Sequence, residues 1–405
     1  FFGALAHLLK GSLGAGVLAM PMAVKNGGLA FGLVGTIFVG LICTHTVQML
    51  VQSSYTLCKR ENIPSLGFAE TAEIAFKSGP PMFHKFSSFS RLDPWDCEQC
   101  IRYTLKPTAY ASWLFSLDHW LIDYYSSGEI YIDKRVIIAI LLVFVTPLAL
   151  VRNLKFLVPF SAVADVFIVV SFIITLYYIF AEPLSTEGKV LIAEASTIPI
   201  FLSTAIFAME GIGIVLPLEN SMEKPEKFLG CPGVLNIAMG IVVALYAIIG
   251  FFGYLKYGDK TEGSVTLNLP VDEIPAQIVK ILYAISILFS YGLQFFVPTA
   301  IVWPNLKEKI DKKYHNMGEH IYRILLCCLI VGVAAAVPEL GPIISLIGAV
   351  CFSTLGLFIP SVIDTITRWD RDLGTLNWRL WKNLFCTGFS NFTAVSELIS
   401  IISSL

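Results

Sequence analysis

Residues 7–21 read HLLKGSLGAGVLAMP, an apolar segment interrupted at Gly11, Gly14 and Gly16. A second apolar segment is interrupted in a similar way at 209–213, which read MEGIG. Glycine is about 1 kcal/mol less favourable than alanine inside a helix, so each glycine cluster marks a point where a helix can unwind. The fold and the chemistry of the chain depend on where these two interruptions lie.

The composition around the interruptions is that of a membrane protein. The chain has 405 residues, of which 56% are hydrophobic and only 14% charged, with a mean hydropathy of +0.73. Soluble domains carry about 25% charged residues. A membrane helix needs about 20 mainly apolar residues. The sequence predicts eleven such spans: 1–25, 29–56, 103–122, 134–152, 156–181, 197–218, 233–254, 275–303, 320–337, 340–363 and 382–404. The net charge of −2 gives no indication of nucleic-acid binding.

The loops between the predicted spans indicate the orientation. Most lysines and arginines fall in loops on the side of the N-terminus, which the positive-inside rule places in the cytoplasm. No soluble domain fits between the spans. We therefore expect one all-α transmembrane domain over 1–405, made of a first repeat at 1–181, an inverted second repeat at 197–363 and an extra C-terminal helix at 382–404.

The two interruptions fall in the first and sixth predicted spans. Unwound backbone in hydrocarbon leaves polar groups unsatisfied at several kcal/mol each, so it is tolerated only where it is buried in protein or lines a cavity. Paired broken helices at corresponding positions are typical of inverted-repeat secondary transporters. The alternative is close helix packing through small residues, which is our interpretation of the run Gly28, Gly32, Gly35 and Gly40.

The residues at the breaks indicate a substrate class. The helix that resumes after Gly14 presents free N–H groups and the positive end of its dipole, which suit a carboxylate. The half-helix that ends near Phe207 and Ala208 presents free carbonyls, which suit an ammonium. Together they describe a zwitterionic α-amino acid, and the small residues of the first break supply no charge for its side chain. The predicted substrate-binding residues are Gly11, Ser12, Gly14, Ala15, Gly16, Phe207, Ala208 and Gly211.

Two titratable residues lie beside the breaks. Glu210 is at membrane depth, where an ionisable side chain is a functional candidate by default; the alternative is a structural carboxylate bonded to loosened backbone N–H groups. His7 lies one turn before the first break, and the ordinary pKa of histidine, near 6.5, suits an acid sensor. The alternative for His7 is a packing residue. Both are predicted proton-coupling sites.

At these residues the chain resembles a known family. The segments 7–21 and 204–220, the latter reading TAIFAMEGIGIVLPLEN, are similar to the first and sixth helices of the proton-coupled amino acid transporters. These form part of the amino acid/auxin permease branch of the amino acid–polyamine–organocation superfamily, and insect members look most similar. The resemblance implies eleven helices in the five-plus-five inverted-repeat fold of bacterial leucine transporters, with helices 1 and 6 broken.

The resemblance also implies an activity and its residues. It implies symport of small neutral amino acids, such as alanine, glycine and proline, with protons as the coupling ion and no other cofactor. By position, His7 matches a histidine implicated in proton coupling, and Leu13, with its neighbours Gly11 and Ser12, matches the substrate-binding break. Family members work on lysosomal, endosomal or plasma membranes, and some feed nutrient signalling, so signalling proteins are expected as partners.

Three other readings stay open at this point. The same site could serve an uncoupled facilitator or exchanger, or a sensor that binds an amino acid and recruits cytosolic partners. An enzyme is not expected, because no nucleophile–base pair or metal set lies at membrane depth. The pair Cys97 and Cys100 has the spacing of half a zinc site, but no second pair completes it, so no metal is predicted.

The interval 91–122 does not fit the rest of the chain. In its best window, 103–122, the Leu, Ile and Phe residues gain about 3 kcal/mol on insertion, whereas Lys106 and Asp118 cost about 6 kcal/mol near the bilayer centre. Pro107 adds a helix break. Preserved length with lost membrane character favours a local reading-frame error or a mis-joined exon; the alternative is a divergent third helix held by its neighbours.

We predict that the natural transcript does not encode residues 91–122 as written. If it does, such a segment should insert poorly on its own, and little transport is expected from the chain. Sequencing the transcript is the test, and a transcript that encodes 91–122 as written in a protein that transports amino acids contradicts the hypothesis.

Overall fold

The computed structural model describes residues 4–5, 8–9, 12, 16–81, 84, 134–152, 154–181, 183–209, 211–230, 232–270, 272–307, 310–336, 340–369 and 373–404. Over these ranges the protein is helical and contains no strand. The helices are α1 (Gly16–Gly27), α2 (Leu29–Glu61), α3 (Phe68–Ser78), α4 (Lys134–Ala149), α5 (Leu154–Phe180), α6 (Ile198–Ala208), α7 (Ile212–Asn220), α8 (Val234–Tyr257), α9 (Ile274–Lys307), α10 (His315–Ala336), α11 (Leu340–Ile347), α12 (Ile359–Arg368) and α13 (Trp378–Ser404). Two π-helical turns, Gly348–Phe352 and Thr354–Phe358, join α11 to α12.

Six of the described helical segments are long and apolar enough to cross a membrane: Leu29–Glu61, Val163–Phe180, Val234–Lys260, Ile274–Phe296, Lys312–Ala336 and Gly341–Arg368. Their outward side chains are apolar, as at Val166, Ile173 and Leu325, which are 59%, 60% and 64% exposed. Such surfaces suit lipid rather than water. The chain is thus a multi-pass membrane protein. The predicted third span at 103–122, and the whole interval 91–122, lie outside the described residues.

The chain divides into two compact units. The first comprises Phe1–Trp95, Thr186–Asp259 and Ser345–Leu405, and the second comprises Asp96–Ser185 and Lys260–Ile344. Each unit draws on both of the predicted repeats. The assignment of 1–181 and 197–363 as inverted repeats, and of 382–404 as an extra helix, stays a prediction.

In the first unit, α1 contacts α2, α6 and α8, and α2 also contacts α8 and α12. A Cβ at Gly35 would lie 2.6 Å from the ring of Phe201, and one at Gly40 would lie 2.3 Å from Val243. The interpretation of this glycine run as a surface for close helix packing is therefore confirmed at Gly35 and Gly40. At Gly28 the backbone conformation also requires glycine, because its φ of +82° lies in the left-handed region that favours this residue.

The second unit contains α4, α5, α9 and α10, in which α9 contacts the other three. The buried guanidinium of Arg323 on α10 donates hydrogen bonds to the carbonyls of Ala149, at 2.9 Å, and Val151, at 3.1 Å. It also pairs with Glu319 at 3.1 Å. Because the last carbonyls of a helix have no partner within it, Arg323 supplies donors at the end of α4.

Candidate functional site

Both predicted breaks belong to the first unit. Of the residues predicted there, the structure describes Ser12, Gly16, Phe207, Ala208 and Gly211. His7, Gly11, Leu13, Gly14, Ala15 and Glu210 lie outside the described residues, so their roles stay predictions.

The chain leaves helical geometry between α6 and α7. The first of these helices ends at Ala208 and the second begins at Ile212. Between them, Gly211 has φ −148° and ψ 0°. The polar backbone groups of this interruption lie deep in the unit, since Phe207 is 7% and Ala208 is 3% exposed.

The backbones of α1 and α6 touch at Gly16. A Cβ added there would lie 2.5 Å from Cα of Ala208 and 3.1 Å from its carbonyl oxygen. No side chain larger than hydrogen fits without moving one of the helices. Gly16 and Ala208, predicted from separate stretches of sequence as parts of one site, are therefore in direct contact.

A hydroxyl from a third helix connects the two segments. The Tyr246 side chain of α8 is fully buried, and its hydroxyl is within hydrogen-bond distance of the carbonyl oxygens of Ser12 and, at 3.0 Å, Ala208. A phenol carries one proton, so the two carbonyls share it. Each carbonyl oxygen has a second lone pair, which leaves both able to accept from a ligand. Tyr246 thus fixes both carbonyls at one point.

Two buried hydroxyls near the breaks have no hydrogen-bond partner within the described part of the chain. They are Oγ of Ser12 and Oγ1 of Thr204. The Ser12 oxygen lies 2.9 Å from the position that a Cβ of Gly211 would take, so it points at the interruption between α6 and α7. A buried polar group without a partner costs about 1–3 kcal/mol, and a ligand with polar atoms at this point would recover that cost.

Aromatic packing borders the site on the side of the π-helical turn. The rings of Phe207 and Phe352 stack with centroids 5.4 Å apart and an interplanar angle of 29°. Gly348 lies against the same stretch of α6, because its Cβ would lie 2.0 Å from the carbonyl oxygen of Ser203. π-Helical turns are frequent at functional sites.

Sequence reasoning missed Tyr246. A tyrosine within an apolar span is often read as an interface anchor. The available signal was that a buried phenol needs a hydrogen-bond partner, and that the two predicted breaks would offer free carbonyls.

The family described as "Transmembrane amino acid transporter protein" matches residues 1–403. The chain belongs to this family. This confirms the resemblance found in the sequence. Because the members of the family are transporters and not enzymes, the expectation that the chain is not an enzyme is also confirmed. The expectation of an amino acid substrate is confirmed at the level of the family.

Two relatives and one solved structure give the degree of similarity. The "Proton-coupled amino acid transporter-like protein pathetic" of Drosophila melanogaster is 42% identical over 383 residues, which are 95% of this chain and 80% of that protein. "Vacuolar amino acid transporter 3" of Schizosaccharomyces pombe is 28% identical over 361 residues, 88% of this chain and 52% of that protein. The crystal structure of MhsT in complex with L-phenylalanine aligns with a TM-score of 0.43 at 15% identity, covering 100% of this chain and 98% of that one.

We predict that Tyr246→Phe weakens amino acid binding and destabilises the protein by about 1–2 kcal/mol, because the ring is kept while the shared hydrogen bond is lost. The half-saturation concentration of alanine in counterflow and the thermal unfolding temperature measure the two effects. Tyr254→Phe is the matched control: it removes a buried hydroxyl from the same helix, one that bonds to the backbone of Val190. An unchanged alanine affinity in Tyr246→Phe would contradict the role assigned to the hydroxyl.

Proposed function

We propose that the chain is a proton-coupled symporter of small neutral amino acids, of the alanine, glycine and proline type. The observation that carries the proposal is that one tyrosine hydroxyl is shared between the carbonyls of Ser12, in the first predicted break, and Ala208, at the end of α6. Backbone polar groups gathered at membrane depth are tolerated where they are buried in protein or line a cavity, and there they can bind a polar ligand. An α-amino acid supplies both a carboxylate and an ammonium.

We propose a separate position for each of the two charges of the substrate. The predicted break at residues 11–15, just before Gly16, would present free N–H groups that suit the carboxylate. The carboxyl end of α6, at Phe207 and Ala208, suits the ammonium. A neutral substrate follows because the described residues of the site, including Ser12 and Gly211, carry no charged side chain.

We propose small substrates because the described groups around the site pack closely together. Gly16 lies against Ala208, and the stacked rings of Phe207 and Phe352 close one side. Alanine, glycine and proline fit such a site better than aromatic or long side chains.

Proton coupling is supported by the name of the Drosophila relative and by two candidate residues, His7 and Glu210. A lysosomal or endosomal membrane is supported by the name of the vacuolar relative, and the plasma membrane is the other candidate. A cytoplasmic N-terminus is proposed from the distribution of lysines and arginines in the loops. The facilitator and exchanger alternatives are not favoured because the name of the Drosophila relative describes proton coupling, and the sensor alternative is not favoured because both names describe transporters. Nutrient-signalling proteins as partners stay an expectation of the resemblance.

We predict acid-stimulated, electrogenic uptake. A zwitterion that moves with one proton carries one positive charge, so 100 mV contributes about 2.3 kcal/mol, or about fiftyfold accumulation. Uptake of labelled alanine into proteoliposomes with an imposed pH gradient or potential is the measurement. His7→Ala and Glu210→Gln are each expected to reduce the pH dependence and the current. Full proton coupling in both variants would show that the proton site lies at other residues. Equal uptake by the wild type with and without gradients would contradict symport.

We predict that Gly14→Val abolishes alanine uptake, because a branched side chain would occupy the proposed carboxylate position. Gly240→Val is the matched control: Gly240 lies on α8, and a Cβ there meets no atom within 4 Å. Alanine uptake at equal surface expression compares the two. Normal uptake in Gly14→Val would rule out the assigned carboxylate site.

A further inference from the structure

One buried carboxyl group has no part in the site described so far. Glu397 lies on α13 and is 1% exposed. Its side chain hydrogen-bonds with the hydroxyls of Ser203, on α6, and Ser345, on α11. Its second oxygen, Oε2, has no hydrogen-bond partner among the described residues. An ionisable residue buried in a membrane helix is costly to keep and is a candidate for function.

The surroundings of Glu397 offer no countercharge in the part of the chain that the structure describes. The segments α6 and α11 contain no ionisable residue, and the first π-helical turn contributes only Cys351. On α12, Asp364 and Arg368 pair with each other at 2.6 Å. Lys382 of α13 lies 4.0 Å from the same Asp364 carboxylate. Among the described residues, a carboxylate at Glu397 would therefore be a buried charge without an ion-pair partner, which is costly.

The single proton of the Ser203 hydroxyl can serve either its own helix or Glu397. The Ser203 hydroxyl donates to the carbonyls of Pro199, at 2.8 Å, and Ile200, at 3.1 Å, in its own helix. A hydroxyl has one proton to donate, and its oxygen can still accept. While the Ser203 hydroxyl donates to one of these carbonyls, its bond with Glu397 requires that the carboxyl carries a proton and donates it.

Loss of the Glu397 proton would change the hydrogen bonds of α6. When the carboxyl O–H bond breaks and the proton passes to water, the carboxylate can only accept. The Ser203 hydroxyl must then turn its proton away from the carbonyl of Pro199 and toward Glu397. Ser203 lies one turn before Phe207, and Gly348 packs directly against its carbonyl oxygen, so the stretch has little freedom to move without its neighbours.

We propose that Glu397 is a proton-binding site of the transport cycle and acts on the substrate-site helix α6 through Ser203. The proposal rests on the proton-coupled symport proposed above and adds to it a coupling residue on the C-terminal helix. In the protonated state, Glu397 donates to Ser203 and α6 keeps its present hydrogen bonds. In the ionised state, those bonds rearrange one turn from Phe207 and Ala208.

The test compares Glu397→Gln with wild type in proteoliposomes that contain the full chain. Glutamine keeps the shape and the donor of the neutral acid but cannot release a proton. We expect counterflow of labelled alanine at equal pH to stay close to the wild-type rate, because exchange needs no proton release. Accumulation driven by a pH gradient, which supports about tenfold per pH unit, should be lost.

Two further variants separate coupling from packing. Ser390→Ala removes another buried hydroxyl of α13, which bonds to the carbonyl of Ser353 at 2.8 Å, and should keep both activities. Ser203→Ala keeps the carboxyl but removes its acceptor on α6, and should lose gradient-driven accumulation as Glu397→Gln does. Normal coupling in Ser203→Ala overturns the proposal, even where Glu397→Gln fails to fold.

The remaining outcomes are distinct. Gradient-driven accumulation at the wild-type level in Glu397→Gln overturns the proposal. Loss of both counterflow and accumulation in this variant assigns Glu397 a structural role and also overturns the proposal. Wild-type protein that exchanges alanine but never accumulates it contradicts the proposed symport, and the inference with it. Infrared spectroscopy tests protonation without transport: the wild type should show a protonated-carboxyl C=O band that Glu397→Gln lacks, and its absence from the wild type overturns the proposal.

Discussion

The hydrogen bonds from the Tyr246 hydroxyl to the carbonyls of Ser12 and Ala208 are the interaction on which the rest of the site depends. A membrane interior has no water to satisfy an unwound backbone, so a break in a helix is stable only where another group supplies the missing partner. Tyr246 serves two segments with one proton. The contact of Gly16 with Ala208 then brings the two backbones within reach of the same hydroxyl.

α6 gathers the other features of the unit. Its Phe207 ring stacks on Phe352, its Ser203 carbonyl packs against Gly348, and its Ser203 hydroxyl meets Glu397. The proposed substrate end of the helix and the contact with the buried carboxyl are thus one turn apart on a short helix. In the proposed cycle, a change of hydrogen bonding at Ser203 alters the position of Phe207 and Ala208, which is how one element can couple two ligands.

Hydropathy and glycine clusters predict much of the architecture, because length and apolar content follow directly from the thickness of a bilayer. Six described segments satisfy those criteria, against eleven predicted spans. Part of the difference has a physical cause at the sixth predicted span: α6 and α7, on either side of the interruption, have 11 and 9 residues, too short to qualify singly. The predicted third span lies outside the described residues.

Sequence reasoning identified backbone positions of the candidate site but not the side chains that support them. Glycine patterns are local, so Gly16 and Gly211 could be selected from the sequence alone. Tyr246 and Glu397 acquire their importance from partners on other helices, Ser12 and Ser203 among them, and no local pattern reveals such pairs. Glu397 also lies in the last predicted span, where a single carboxyl among apolar residues carries no periodic signal.

The most direct test of this account is an experimental structure of the protein with alanine bound. The account predicts the alanine carboxylate at the N–H groups of residues 13–16, and its ammonium at the carbonyls of Phe207 and Ala208. The Tyr246 hydroxyl should remain on the carbonyl of Ser12. Alanine bound elsewhere in the protein, or continuous helix through 209–211 with Tyr246 bonded to neither segment, would contradict it.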